Sequence, residues 1–154
     1  MSHRAFELKM RSLVDLHVGD LDAFLSAFSP IHVIWHSRRG AVVGGVLMPI
    51  GFLTFHHVAV RSYKHMLRSI NQSMPAAFSP NYDASIESVA APVDFSVAIE
   101  GWHNTVHNGD MTLMNPATNI WRPRFWGLHG FIDRKFMAWQ RAHRRITSAE
   151  HQTV

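Results

Sequence analysis

Apolar residues recur at helical spacing over five stretches of the chain, and no window alternates in the two-residue rhythm of a half-buried strand. Residues 4–16 place Phe6, Leu8, Met10, Leu13 and Leu16 on a helical pattern. Residues 20–36 carry Leu21, Phe24, Leu25 and Phe28, then the run Ile31, His32, Val33, Ile34, Trp35 and His36. Ser29-Pro30 falls inside this stretch and predicts a kink or a split into two helices, because proline removes a backbone donor and crowds the preceding turn. Residues 56–72 place Val60, Tyr63 and Leu67 three and four apart, a core-facing helix. Residues 94–107 open at Asp94, which suits an N-cap, and continue with Phe95, Val97 and Ile99. Residues 126–145 put Ile132, Phe136 and Trp139 on one stripe. Between them, the glycine-rich residues 40–54 read as buried loop, and 73–93 and 108–123, rich in Ser, Pro, Asn and Gly, as long loops. The pattern predicts an all-α fold: a four-helix-bundle core with long loops, without internal repeats.

A chain of 154 residues suits one domain spanning 1–154. Its longest apolar run, "GAVVGGVLMPIGFLTF" at 40–55, is broken by glycines and a proline and is too short to span a bilayer, so no membrane association is expected. The N-terminus has no apolar signal region, which makes cytoplasmic the expected location. The absence of cysteine excludes disulfides, thiolate metal sites and cysteine nucleophiles. The net charge of +4 is scattered, its clusters at Arg38-Arg39, Arg122–Arg124 and Arg141–Arg145 carry no nucleic-acid motif, and no nucleic-acid partner is expected. Oligomeric state is not legible.

The unusual feature is twelve histidines, against eleven Asp and Glu together. In "GWHNTVHNG" (101–109), His103 and His107 stand four apart, one above the other on a helix face, so both imidazoles can reach one point. For an isolated pair at this spacing, two packed core imidazoles are the commoner reading. Three features favour a metal: the apolar neighbours on the helix, its ending at Asn108-Gly109, and a third histidine, His129, with Asp133 a turn further on to orient a ligand or its helix.

The same residues carry a resemblance. His103-Asn104-Thr105-Val106-His107, then Gly109-Asp110-Met111, then Pro123-Arg124-Phe125-Trp126, then His129 followed by Asp133, Trp139 and Gln140, resemble the second copper half-site of the type 3 copper proteins: tyrosinases, catechol oxidases and molluscan-type hemocyanins. The likeness covers residues 94–143. It departs at Leu128, where the family has the first of two paired histidines, and at Arg122, where it has aspartate. The Leu128 change implies a reshaped substrate entrance. For the first half-site, "FLTFHH" (52–57) resembles the family element that precedes a ligand, which implies His56; His32 falls where an early-helix ligand belongs, and His36 stands in for a loop ligand. A rival register uses His36, His56 and His65, and His57 is a further reserve. His3, His17, His143 and His151 read as plain surface or core residues.

What the resemblance implies is a copper oxidoreductase. Two copper ions would lie between the helices on His32, His36, His56, His103, His107 and His129, with dioxygen as co-substrate and a small phenol hydroxylated or a catechol oxidised to quinone. It also implies a water-holding role for Asn104, aided by Asp94 or Glu100, and a gate over the coppers at Phe131. The alternatives are a dioxygen-binding protein without turnover, as in hemocyanin, and a mononuclear copper protein using the second site alone. The segment between the half-sites is shorter here than in the family.

Overall fold

The structure, a computed structural model, describes residues 2–38, 42–43, 46–47 and 50–154. It is all-α. Among the described residues five α-helices follow in order: α1 His3–His17, α2 Leu21–Arg38, α3 Phe52–Ser69, α4 Pro92–Asn108 and α5 Pro123–Ala142. Single turns of 3₁₀-helix occur at Ala84–Ser88, Asn119–Trp121 and Glu150–Gln152. Between α2 and α3, β1 (Val42–Val43) pairs antiparallel with β2 (Val46–Leu47). The predicted buried loop over 40–54 falls partly here: residues 40–41, 44–45 and 48–49 lie outside the described residues, and 52–54 are already helix.

Helix α2 corrects the expectation at Pro30, which it passes as one helix. Its buried positions explain why. Phe24, Phe28, His32 and Trp35 are at most 1 % exposed and follow one another at three- and four-residue spacing across the proline. A break at Ser29-Pro30 would take His32 and Trp35 out of register with that face. An interior proline costs about 3 kcal/mol, and burying several large side chains at about 1.5–3 kcal/mol each outweighs it.

Helix α3 begins at Phe52, four residues before the sequence pattern places it. Its first turn, Phe52 to Phe55, is buried, so the free N–H groups of that turn need internal partners. The C-terminal segment supplies them: Val154 O accepts from Leu53 N (2.8 Å) and Thr54 N (3.2 Å), and His151 O accepts from Gly51 N (3.0 Å). A Cβ on Gly51 would lie 2.4 Å from the Val154 backbone, so this approach requires glycine.

Helix α4 corrects a second expectation. It opens at Pro92 with Ala91 as N-cap, because proline's fixed φ and missing N–H suit the first helical position. Asp94 sits inside the first turn, where a carboxylate favours the helix dipole, and is not the cap.

Helix α3 is the centre of the core. Helix α1 packs on one side of it through Phe6, whose ring stacks on Phe55 at 4.9 Å. Helix α5 packs on another, through Tyr63 stacked on Trp126 at 3.9 Å and 3°. Helix α4 joins α5 through Phe95 on Trp139 at 4.9 Å, and Trp139 Nε1–H donates to Val89 O at 2.7 Å. Gly127 lets the 73–83 connection cross α5 at van der Waals limit: a Cβ there would meet Ala76 O at 2.3 Å. Among the described residues no helix is long and apolar enough to cross a membrane.

Candidate metal centre

Two helix pairs build two histidine triads. His32 and His36, one turn apart on α2, meet His56 from the second turn of α3. His103 and His107, one turn apart on α4, meet His129 from the second turn of α5. Within each triad the nitrogens that can serve as ligands all lie within 4.8 Å of one another. All six ligand-type residues foreseen in the sequence come together, in the grouping expected. Five are buried, between 0 % and 9 % exposed; His36 alone is exposed.

The triads face each other. The rings of His56 and His129 stack across the boundary at 4.1 Å and 12°, and His56 lies 6.0 Å from His103. Phe52 packs against His56 and His103 at 4.8 and 4.6 Å, and Phe125 against His129 and His32 at 4.2 and 5.3 Å. The inner faces of both triads are therefore lined with aromatic rings.

Fixed acceptors hold four of the rings. His32 Nδ1–H donates to Pro116 O at 2.9 Å, His56 Nδ1–H to Phe52 O at 2.9 Å, and His107 Nδ1–H to Leu113 O at 2.7 Å. His103 Nδ1–H donates to Asn104 Oδ1 at 3.0 Å. Each bond sets the tautomer and turns the Nε2 lone pair inward, the usual support of a metal-binding histidine. Buried Asn119 steadies the Leu113 carbonyl by donating to it at 3.0 Å.

Inside, the Nε2 atoms of His32 and His36 approach to 3.1 Å, and those of His103 and His129 to 3.2 Å. His56 Nε2, His107 Nε2 and His129 Nδ1 are buried without a hydrogen-bond partner. A buried polar atom left unpaired costs about 1–3 kcal/mol, and two of these, His56 Nε2 and His107 Nε2, lie on the inward side of rings whose Nδ1 is held by a carbonyl, which marks a place for something else to bind.

Protonation points the same way. Burial, reinforced by the neighbouring imidazoles, lowers His32 to about 3 and pushes His56, His103 and His129 well below the usual histidine range. Burial also lowers His107, against the opposing pull of the Leu113 carbonyl and Asp110. These rings are neutral at physiological pH, the form that binds metals. Two sets of three imidazoles could hold two metal ions.

The other residues fall as follows. Asn104 is exposed and engaged with His103. Asp94 is exposed at the start of α4, nine residues from His103, or roughly 13 Å of helix rise; the structure does not bring it to the triads. Glu100 is half-buried three positions before His103. Phe131 is also not at the triads: it packs on Tyr82 and Trp102 at 4.8 and 5.7 Å, because two residues along a helix turn a side chain roughly 200° away from His129. Leu128 is fully buried in the core and so does not shape an entrance. Arg122 is the exposed N-cap residue of α5.

His65 is exposed, lines a surface cavity with Glu7, Arg11, Asp15 and Arg61, and joins neither triad. His57 turns away from His56, its Nδ1–H donating to Asp133 Oδ1 at 2.5 Å. Of the remaining histidines, His3 stacks on His151 at 3.9 Å and His143 on Trp139 at 4.9 Å.

Sequence reasoning missed the ring-orienting carbonyls of Leu113 and Pro116, which lie in a stretch read only as loop. Its turn residues, Asn108-Gly109 and Asn115-Pro116, were the available signal that the chain folds back there. Comparison with family models, curated proteins and solved structures returns no match for this chain.

Proposed function

We propose that the chain holds one copper ion in each triad and uses dioxygen to oxidise small phenols, hydroxylating monophenols, converting catechols to quinones, or both. The observation that carries this reading is the pair of histidine-only triads meeting across the His56–His129 stack. Imidazole holds both Cu(I) and Cu(II), and copper(II) tops the affinity order for nitrogen donors. A pair of such ions supplies the uptake and reduction of dioxygen. The resemblance of residues 94–143 to the type 3 copper proteins supports the same reading.

The chain's own residues bind and orient. Pro116, Phe52 and Leu113 carbonyls and the Asn104 side chain hold four rings with Nε2 inward. Phe52 and Phe125 exclude water around the buried ligands. His36, the exposed ligand, marks the side from which a phenol ring reaches the pair. In the diphenol reaction two catechols give up four electrons and four protons to one dioxygen, leaving two quinones and two waters.

The burial of the other five ligands favours a second reading, a dioxygen carrier that admits the gas and not a ring. Copper per chain and dioxygen uptake with a catechol separate these. Two coppers with catechol-dependent uptake support the oxidase. Two coppers with reversible dioxygen binding and no quinone support the carrier. One copper with an ordinary Cu(II) paramagnetic signal supports the mononuclear alternative, and no copper at all overturns every one of them.

A further inference from the structure

We infer that Asp133 is a positioning residue that, through His57 and Lys64, sets the separation of the two triads. The inference rests on the two-metal reading above. Asp133 lies on α5 one turn after His129 and is 6 % exposed. A carboxylate buried to that degree is costly unless paired and hydrogen-bonded. Both of its oxygens are engaged, and both partners come from α3: His57 Nδ1–H donates to Oδ1 at 2.5 Å, and Lys64 Nζ lies 3.5 Å from Oδ2. None of the three belongs to a triad.

Their place in the fold gives them leverage. His57 follows His56 directly in α3, and Asp133 follows His129 by one turn in α5. The polar clamp thus ties together the two helices whose histidines stack across the triad boundary. Other α3–α5 contacts are ring contacts, such as Tyr63 flat on Trp126 and Phe136 edge-on to His57 at 6.0 Å. Stacked rings and apolar faces single out no one point along the helix axes, and helix shifts of about 1–2 Å occur at interfaces that switch between packings. A charge-assisted hydrogen bond has a narrow optimum and fixes one point of the interface. Two-metal sites hold their ions about 3.5–4 Å apart, so a slide of about one ångström takes a pair out of that range.

The test uses the full copper-loaded chain. Copper per chain, helical circular dichroism and the Cu(II) paramagnetic signal per copper are measured for wild type, Asp133→Ala, Asp133→Asn and Lys64→Met. Two coupled Cu(II) ions in wild type are nearly silent. Asp133→Ala is expected to stay helical and keep two coppers while the visible signal rises on the order of tenfold, as the separation leaves the two-metal range. Asp133→Asn still accepts from His57 and is expected to restore most of the silence. Lys64→Met is expected to fall between. Asp133→Ala with two coppers as silent as wild type overturns the inference and leaves the two-metal reading standing. If Asp133→Ala does not fold, Lys64→Met decides, and an unchanged signal there overturns the inference. A wild type with fewer than two coppers removes the two-metal reading and this inference together.

Discussion

The two triads are the same device built twice, and they differ in one ligand. Each takes a histidine pair one turn apart on one helix and a single histidine from the second turn of the next. His56 follows His36 by twenty residues and His129 follows His107 by twenty-two. The second triad's three side chains are at most 9 % exposed. The first ends in His36, exposed near the end of α2. A ligand facing water exchanges its metal contact for hydration cheaply, whereas a buried one must lose its bond into a dry pocket. On the proposed two-metal reading, matched donor sets would give unequal sites: a firm second one and an exchangeable first one.

The largest effect tests the firm site. His129→Ala removes the ligand that also stacks on His56, so it should empty the second triad and abolish catechol oxidation. Metal analysis giving two coppers per chain in this variant would end the comparison, because the second triad would not be a site at all. The next tests the exchangeable one. His36→Ala should lower copper affinity at the first triad by more than the ~100-fold that an outer-shell change can cost. The second triad should stay loaded, giving one copper per chain and a Cu(II) signal. In wild type a chelator should likewise withdraw copper in two phases, the first leaving a singly loaded protein. A single phase would mean that the exposure of His36 has no consequence.

A smaller effect sharpens the account of how the second triad is held. Asn104→Ala leaves His103 Nδ1–H without its acceptor. Copper affinity at that triad should fall about 10- to 100-fold, as read by chelator competition. At full copper loading, oxidation of a monophenol and of its catechol should fall together. A loss confined to the monophenol would instead assign Asn104 a role in handling the substrate proton.

The last test is the pH response of the metal-free fold. His32, His56, His103, His107 and His129 all bind protons less readily folded than unfolded. Below an unfolded histidine value of about 6.5, the unfolded chain binds more protons, so stability is present above that pH and declines as pH falls through it. Denaturant midpoints at pH 7.5 and 5.5 should show the drop without copper and a larger one with it, since protons then compete with the metal. A midpoint unchanged between them would mean that these rings are not held neutral.

The legible features of the site depended on spacing. His103–His107 and His32–His36 are each one turn apart, and a residue four along a helix faces the same way whatever the tertiary structure. Features that depend on what lies opposite were not legible. Pro30 announces a break, and only the burial of Phe24, Phe28 and Trp35 overrides it. Asp94 reads as a cap or a catalytic carboxylate, but Pro92 starts the helix earlier and leaves it a first-turn residue far from His103. Asp133 was placed near the ligands by its distance from His129; that it pairs with His57, and not with a ligand, depends on how α3 lies against α5.

The seam between the first turn of α3 and the C-terminal segment bears on the order of assembly. Each triad is local: its three histidines lie within one helix–connection–helix unit, and closing a loop of that length is entropically modest. The bonds from Leu53 and Thr54 to Val154 instead join points about a hundred residues apart, a closure that costs more and rewards the chain only late. The second half can gather its imidazoles before the halves meet, while the first turn of α3, directly before His56, is completed only when the C-terminal segment has docked. A metal ion offered early in folding would thus meet a formed second half before a finished first one.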